Sequence, residues 1–214
     1  IFSAAPADLE EPKWAYMPGE PGLMFPAHWP LLWGIDFGID HPFAAVLMAW
    51  DLDTDTIQLL HGIRMAGGTP LNHVPAIRAI AAGVPVAWPH DGHKRDTGSG
   101  IGIASLYRNP GKGIPGLNML ASHATHPQGG NSLMAGLDEM NLRMETGRFK
   151  VSDQMHEWHL EYGLLHYDNG KVVALKDDLI SASRYALMMK RYAKPVPLGS
   201  RVAAPAVPPM MRSP

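Results

Sequence analysis

The chain has 214 residues, 46% of them hydrophobic and 18% charged, which is enough apolar material for one packed domain and argues against wholesale disorder. Cysteine is absent, so disulfides and cysteine-ligated zinc are excluded. The net charge of -2 gives no support to a nucleic-acid binder, which usually shows a basic imbalance, although a neutral total can hide a local basic patch. No run of about 18 apolar residues is present to cross a membrane, and no signal-peptide pattern opens the chain.

In chain order, residues 1–32 lack a period and are punctuated by Pro12, Pro18, Pro21, Pro26 and Pro30, which predicts a linker or packing arm. The runs "WGIDFG" and "FAAVLMAW" predict two strands joined by a tight turn at Gly38–Pro42, and "TIQLLHGIRM" predicts a third after the polar turn "DLDTD". "PLNHVPAIRAIAAG" has proline at its start and glycine at its end, as a helix should. "VPVAWPHD" reads as a buried fourth strand, "IGIASLYRN" as a weaker helix and "LNMLAS" as a fifth strand.

Further on, "NSLMAGLDEMNLRMETG" is the clearest helix, with Leu133, Leu137, Met140 and Met144 on one face and Gly147 at its end. "SDQMHEWHLEYGLLH" stacks Met155, Trp158, Tyr162 and Leu165 on one side. The segment from Arg148 to Val173 has room for an extra β-hairpin made from "GRFKVS" and "GKVVAL", the latter after an Asn-Gly turn. A last helix over "KDDLISASRYALMMKRYA" turns Leu179, Ala182, Ala186 and Met189 inward. Residues 195–214 hold six prolines and predict an extended tail. The expected fold is mixed α/β: about five main strands, the first three antiparallel, flanked by helices.

Three acidic positions break local rules. Asp36 sits inside a strand, where aspartate is disfavoured. Asp91 follows the buried fourth strand, at the end where ligand groups gather in α/β sheets. Asp177 and Asp178 open the last helix. Asp91-Gly92 alone is also good turn chemistry, and acids at a helix start are favoured by its dipole. Together, three carboxylates from distant segments suit magnesium or manganese, which prefer oxygen ligands. Two such ions about 4 Å apart can clamp both oxygens of a phosphodiester undergoing displacement.

The order of these acids is that of ribonuclease H-like nucleases. "HWPLLWGIDFGIDHPFAAVL", "VAWPHDGHKRDTGSG" and "KDDLISASRYALMMKRYA" resemble the C-terminal nuclease domain of large terminase subunits, the DNA-packaging motors of tailed phages, over roughly residues 28–193. The resemblance implies a ribonuclease H-like domain over 33–194, an arm over 1–32 from a preceding ATPase domain, and a flexible tail over 195–214. It implies two-metal cleavage of concatemeric double-stranded DNA in a host cytoplasm, with Asp36, Asp91 and Asp178, or its neighbour Asp177, as catalytic metal ligands. Partners implied are the small terminase subunit and the portal protein. The absent initiator methionine and the lack of a GxxxxGK phosphate loop agree with an isolated C-terminal part.

Lys94 and Arg95, beside Asp91, are candidates for the phosphate backbone. His-x-x-His occurs at His90/His93, His123/His126 and His156/His159, but no HExxH frame accompanies it. His41 follows the first acidic strand and reads as a loop histidine. A junction resolvase or transposase-like nuclease would use the same carboxylates on other DNA. "GIDFG" also opens the phosphate hairpin of actin-like ATPases and sugar kinases, but those need two lobes and a second glycine-rich loop. A catalytically silent module of the same fold is the third alternative.

Overall fold

The computed structural model describes residues 14–16, 24–38, 41–168, 171–173 and 177–195. The turn residues Ile39 and Asp40, the Asn169-Gly170 turn, and most of the expected arm and tail lie outside them. A small antiparallel pair, β1 (Trp14–Tyr16) and β2 (Met24–Pro26), precedes the main sheet. That sheet holds β3 (Leu31–Asp36), β4 (Phe43–Asp51), β5 (Thr56–Met65), β6 (Pro85–Ala87), β7 (Asn118–Met119) and β8 (Phe149–Val151). Their spatial order is β7-β6-β3-β4-β5-β8. The β3–β4 and β4–β5 pairs are antiparallel, as the sequence predicts, and β6, β7 and β8 join in parallel.

Alternation along β3 divides the core in two. Leu31, Trp33, Ile35 and Phe37 enter one apolar cluster with Val74, Ile77 and Tyr107. Leu32 enters the other, with Leu137, Trp158, Ala182 and Ala186. The helices follow suit. Of those on the first face, α1 (Pro70–Ala81) is capped by Thr69 and α2 (Ile103–Arg108) supplies Tyr107. On the second face are α3 (Leu133–Glu145), α4 (His156–Leu164) and α5 (Asp178–Met188). A sheet covered on both faces explains why β3 and β4 read as near-continuous apolar runs.

The structure departs from expectation in four places. "GRFKVS" does not join the extra hairpin: its β8 segment extends the main sheet beside β5, making six strands. The hairpin partner of β10 (Lys171–Val173) is instead β9 (His166–Asp168), with Lys171 opposite Asp168. On α3, Leu133 is exposed, while Arg143 is buried to bond the Asp55 backbone and carboxylate. On α4, Tyr162 stacks on Trp158 as expected but stays partly exposed, and it is Glu161 that is buried. Both inward charges have partners across the fold, which a helical period cannot show.

Helix α5 lies directly on β3. A Cβ at Gly34 would overlap the carbonyl oxygen of Ala182 and stand 2.7 Å from the Ala186 nitrogen. Glycine is needed there because backbone, not a yielding side chain, fills the space. Gly38, two residues past β3, has φ +58, the left-handed conformation that glycine reaches without strain.

Gly34→Ala is predicted to force α5 away from β3. The expected loss is about 3 kcal/mol, with a fall in Tm of about 6–12 °C for a domain of this size. Thermal unfolding followed by far-UV circular dichroism measures it; an unchanged Tm contradicts the close packing.

Candidate active site

The same alternation that turns Gly34 toward α5 turns Asp36 toward its first turn, because positions i and i+2 share a strand face. β3 and β6 are parallel, so their carboxyl ends open on one edge of the sheet. Asp36 is the last residue of β3. Asp91 lies in a 3-10 turn, His90–His93, just beyond β6. Gly92 lets that turn settle on the core, since a Cβ there would stand 2.7 Å from Trp88 Cζ3 and 2.9 Å from Phe37 Cε2. Asp177 is the N-cap of α5 and Asp178 its first residue.

All four aspartates line one cavity of about 280 Å³, together with His41 and Tyr185. Lys94 also lines it, and a larger neighbouring cavity of about 660 Å³ shares Phe37, Gly38, His41 and Lys94 and runs on past Arg95 to Thr69.

Each carboxylate has a different setting. Burial pushes Asp36 up to about 6, the backbone N–H of Gly38 opposes that, and the charges of Asp177 and Asp178 raise it further while Arg184 draws it down. Asp91 is exposed and pairs with Lys94 Nζ at 3.0 Å. Asp177 accepts from Ser181 Oγ at 3.2 Å. Asp178 is buried, and its Oδ2 accepts from both Nε and Nη2 of Arg64 at 2.9 Å.

Three residues of this site escape a reading by motif. Arg64, from β5, is the cation on Asp178. Glu161, from α4, accepts from the backbone N–H groups of Leu179 at 2.7 Å and Ile180 at 3.1 Å. It thereby caps α5 from outside, where Asp177 makes no side-chain cap bond of its own. Its Oε1 lies 3.4 Å from Arg64 Nε without forming a hydrogen bond. Burial pushes Glu161 up to about 7, against the two capping N–H groups. Tyr185 follows Asp178 by seven residues, two turns along the same face of α5, and that spacing is the signal that finds it. Burial raises its hydroxyl above the usual range, with Asp36 and Asp91 adding to the shift.

The donors are hard carboxylate oxygens, the right chemistry for magnesium or manganese. Burial first, and then the charges of Asp177 and Asp178, raise Asp36, and a cation in the cavity would favour its ionised form. As placed, no three acidic or imidazole side chains among the described residues enclose an ion position. The cavity therefore presents acidic walls rather than a closed cage.

The family model of the terminase RNase H-like domain matches residues 33–190. The chain belongs to that family. It is 38% identical over 170 residues to the large terminase subunit of Salmonella phage P22, spanning 79% of this chain and 33% of the relative. The large terminase subunit of Enterobacteria phage LP7 is 37% identical over 166 residues, spanning 77% of this chain and 34% of that one. The chain thus spans about a third of the length of these relatives. The solved P22 large terminase nuclease domain superposes with a TM-score of 0.72 at 36% identity, covering 84% of this chain and 89% of that one. A large terminase from a thermophilic bacteriophage shares the fold at a TM-score of 0.55 and 15% identity, covering 82% of this chain and 42% of that one. The domain is a terminase nuclease domain with a ribonuclease H-like mixed sheet.

The electrostatics of Asp36 predict a pH signature in metal-free protein. Its folded value of about 6 lies above the ordinary 3.8. The ionised group therefore costs stability above about pH 6, and the cost vanishes below about pH 4. Asp36→Asn is expected to be more stable than wild type by about 1–2 kcal/mol at pH 7.5, partial exposure reducing the full shift. Urea unfolding from pH 7.5 to 4.5 should show that gap narrowing; a gap that does not change with pH contradicts the shift.

Proposed function

We propose that this domain is a divalent-metal-dependent endonuclease that cuts concatemeric double-stranded phage DNA during genome packaging. The observation that carries the reading is the single cavity lined by Asp36, Asp91, Asp177 and Asp178, from three separate segments of a terminase nuclease domain. Asp36, Asp91 and the Asp177–Asp178 pair would hold two magnesium or manganese ions, with Asp36 central among them. The chemistry such ions supply when bound is activation of a water nucleophile and neutralisation of charge on an in-line phosphodiester.

The chain's own residues do the rest. Asp36 is fixed by the strand and faces both acids of α5. Glu161 holds the first turn of α5 in place, and so the backbone of Asp178. Arg64 neutralises Asp178 while no other cation engages it, and must release Oδ2 for that oxygen to become a ligand. The same holds for Lys94 at Asp91. Once released, Lys94 is an exposed cation at the mouth of the cavity, suited with Arg95 to a DNA phosphate. The Tyr185 hydroxyl stays protonated and remains a hydrogen-bond donor at this wall.

A net charge of -2 suits weak DNA affinity for this piece alone. An ATPase domain of the same polypeptide, the small terminase subunit and the portal protein would hold and move the DNA in the host cytoplasm. Among the described residues no helix is long and apolar enough to cross a membrane. Family membership favours this reading over a junction resolvase or a nucleotide-binding lobe.

The purified protein with manganese is predicted to nick supercoiled plasmid. Asp36→Asn should lower the rate by more than about 100-fold, since even outer-shell partners of a metal cost 10–100-fold. Comparing Asp177→Asn with Asp178→Asn assigns the ligand of α5. Full activity in Asp36→Asn overturns the site.

A further inference from the structure

The structure gathers three histidines that lie outside the carboxylate site and that the nuclease reading leaves unused. His90 and His93 stand at i and i+3 of a 3-10 turn, where three residues per turn stack such positions on one face. His123 comes from the segment after β7 and meets them from the other side. His93 Nε2 is 3.1 Å from His123 Nδ1. The ring centres are 5.4 Å apart for His90 and His93, 4.9 Å for His90 and His123, and 5.1 Å for His93 and His123.

The ring centres stand at the spacing of three imidazole ligands around one ion. Imidazole nitrogens about 2.0–2.1 Å from a tetrahedral zinc lie roughly 3.3 Å apart, and their ring centres roughly 5 Å apart. The rings meet edge to face, at 66°, 88° and 84°. Trp88 forms the apolar floor, 5.1 Å from His93 and 6.1 Å from His123. Burial first, and then proximity to His90 and His93, lowers the proton affinity of His123, which favours the neutral form a metal requires. As placed, the nitrogens do not yet enclose an ion. His90 and His93 are exposed, and rotation of exposed side chains is fast.

We propose that His90, His93 and His123 form a binding site for a borderline transition-metal ion such as zinc, with a water completing the shell. Imidazole suits zinc, cobalt or nickel, whereas magnesium is held by oxygen donors such as the neighbouring carboxylates. The ion would tie the turn that carries Asp91 to the segment after β7. That segment is already attached beneath, where Ala124 N donates to Trp88 O at 2.7 Å. The site is thus a clamp on one arm of the active site.

The test is titration of the untagged chain with cobalt(II), read by the visible absorption of tetrahedral cobalt, and then with zinc by calorimetry. One equivalent should develop the tetrahedral cobalt absorption in wild type and in Asp36→Asn, whatever further cobalt the carboxylates take up. His123→Ala and His93→Ala should each weaken it at least about tenfold, and His156→Ala should leave it unchanged. Zinc should raise the Tm of wild type but not of His123→Ala. Absence of a one-to-one complex overturns the proposal. So does binding that survives in both His123→Ala and His93→Ala, or that is lost in Asp36→Asn or His156→Ala. Circular dichroism of each variant separates loss of binding from loss of fold.

Discussion

Backbone contact between α5 and β3 at Gly34 fixes the distance between the two elements that carry most of the site. From that contact Asp36 and Asp178 follow by geometry alone. Two residues further along β3 the side chain points at the same helix, and at that level the helix begins. A larger residue at 34 would separate the acids. The placement of the carboxylates is therefore a packing result before it is a chemical one.

The charge at this edge is balanced in an instructive way. Asp36, Asp177 and Asp178 repel one another, and the domain holds that arrangement against them by packing in α5 and by the Glu161 cap. Arg64 on Asp178 and Lys94 on Asp91 are counter-charges, while Asp36 has no comparable ion pair among the described residues and titrates high. On the proposed reading, a site so arranged would gain free energy on binding a divalent cation. The same balance explains why the acids form walls around a cavity rather than a finished cage.

Much of this was legible in the sequence. Asp36 stands out because strands disfavour aspartate, although the structure places it at the end of β3 and not inside the strand; the order of the three acids carries the family resemblance that the domain match supports. Antiparallel β3–β4–β5 follows from apolar runs joined by short polar turns. Other features were hidden for physical reasons. Glu161 lies on the stripe of Met155 and Trp158, but its two partners are backbone N–H groups 18 and 19 residues away. Arg64 is the penultimate residue of β5, and its partner Asp178 is 114 residues distant. Strand β7 has two residues, and β8 could be assigned to the sheet only through pairing with β5. The three histidines came from two separate motifs, and only the fold shows that His123 rather than His126 meets the others.

The central claim is that the acids of β3, the Asp91 turn and α5 are one divalent-metal site. Its most direct test is anomalous diffraction from crystals of this chain soaked in manganese. The account predicts manganese peaks in the cavity between Asp36, Asp91 and the Asp177–Asp178 pair, with Arg64 drawn back from Asp178. Well-diffracting crystals saturated with manganese but showing no peak among these carboxylates would contradict it.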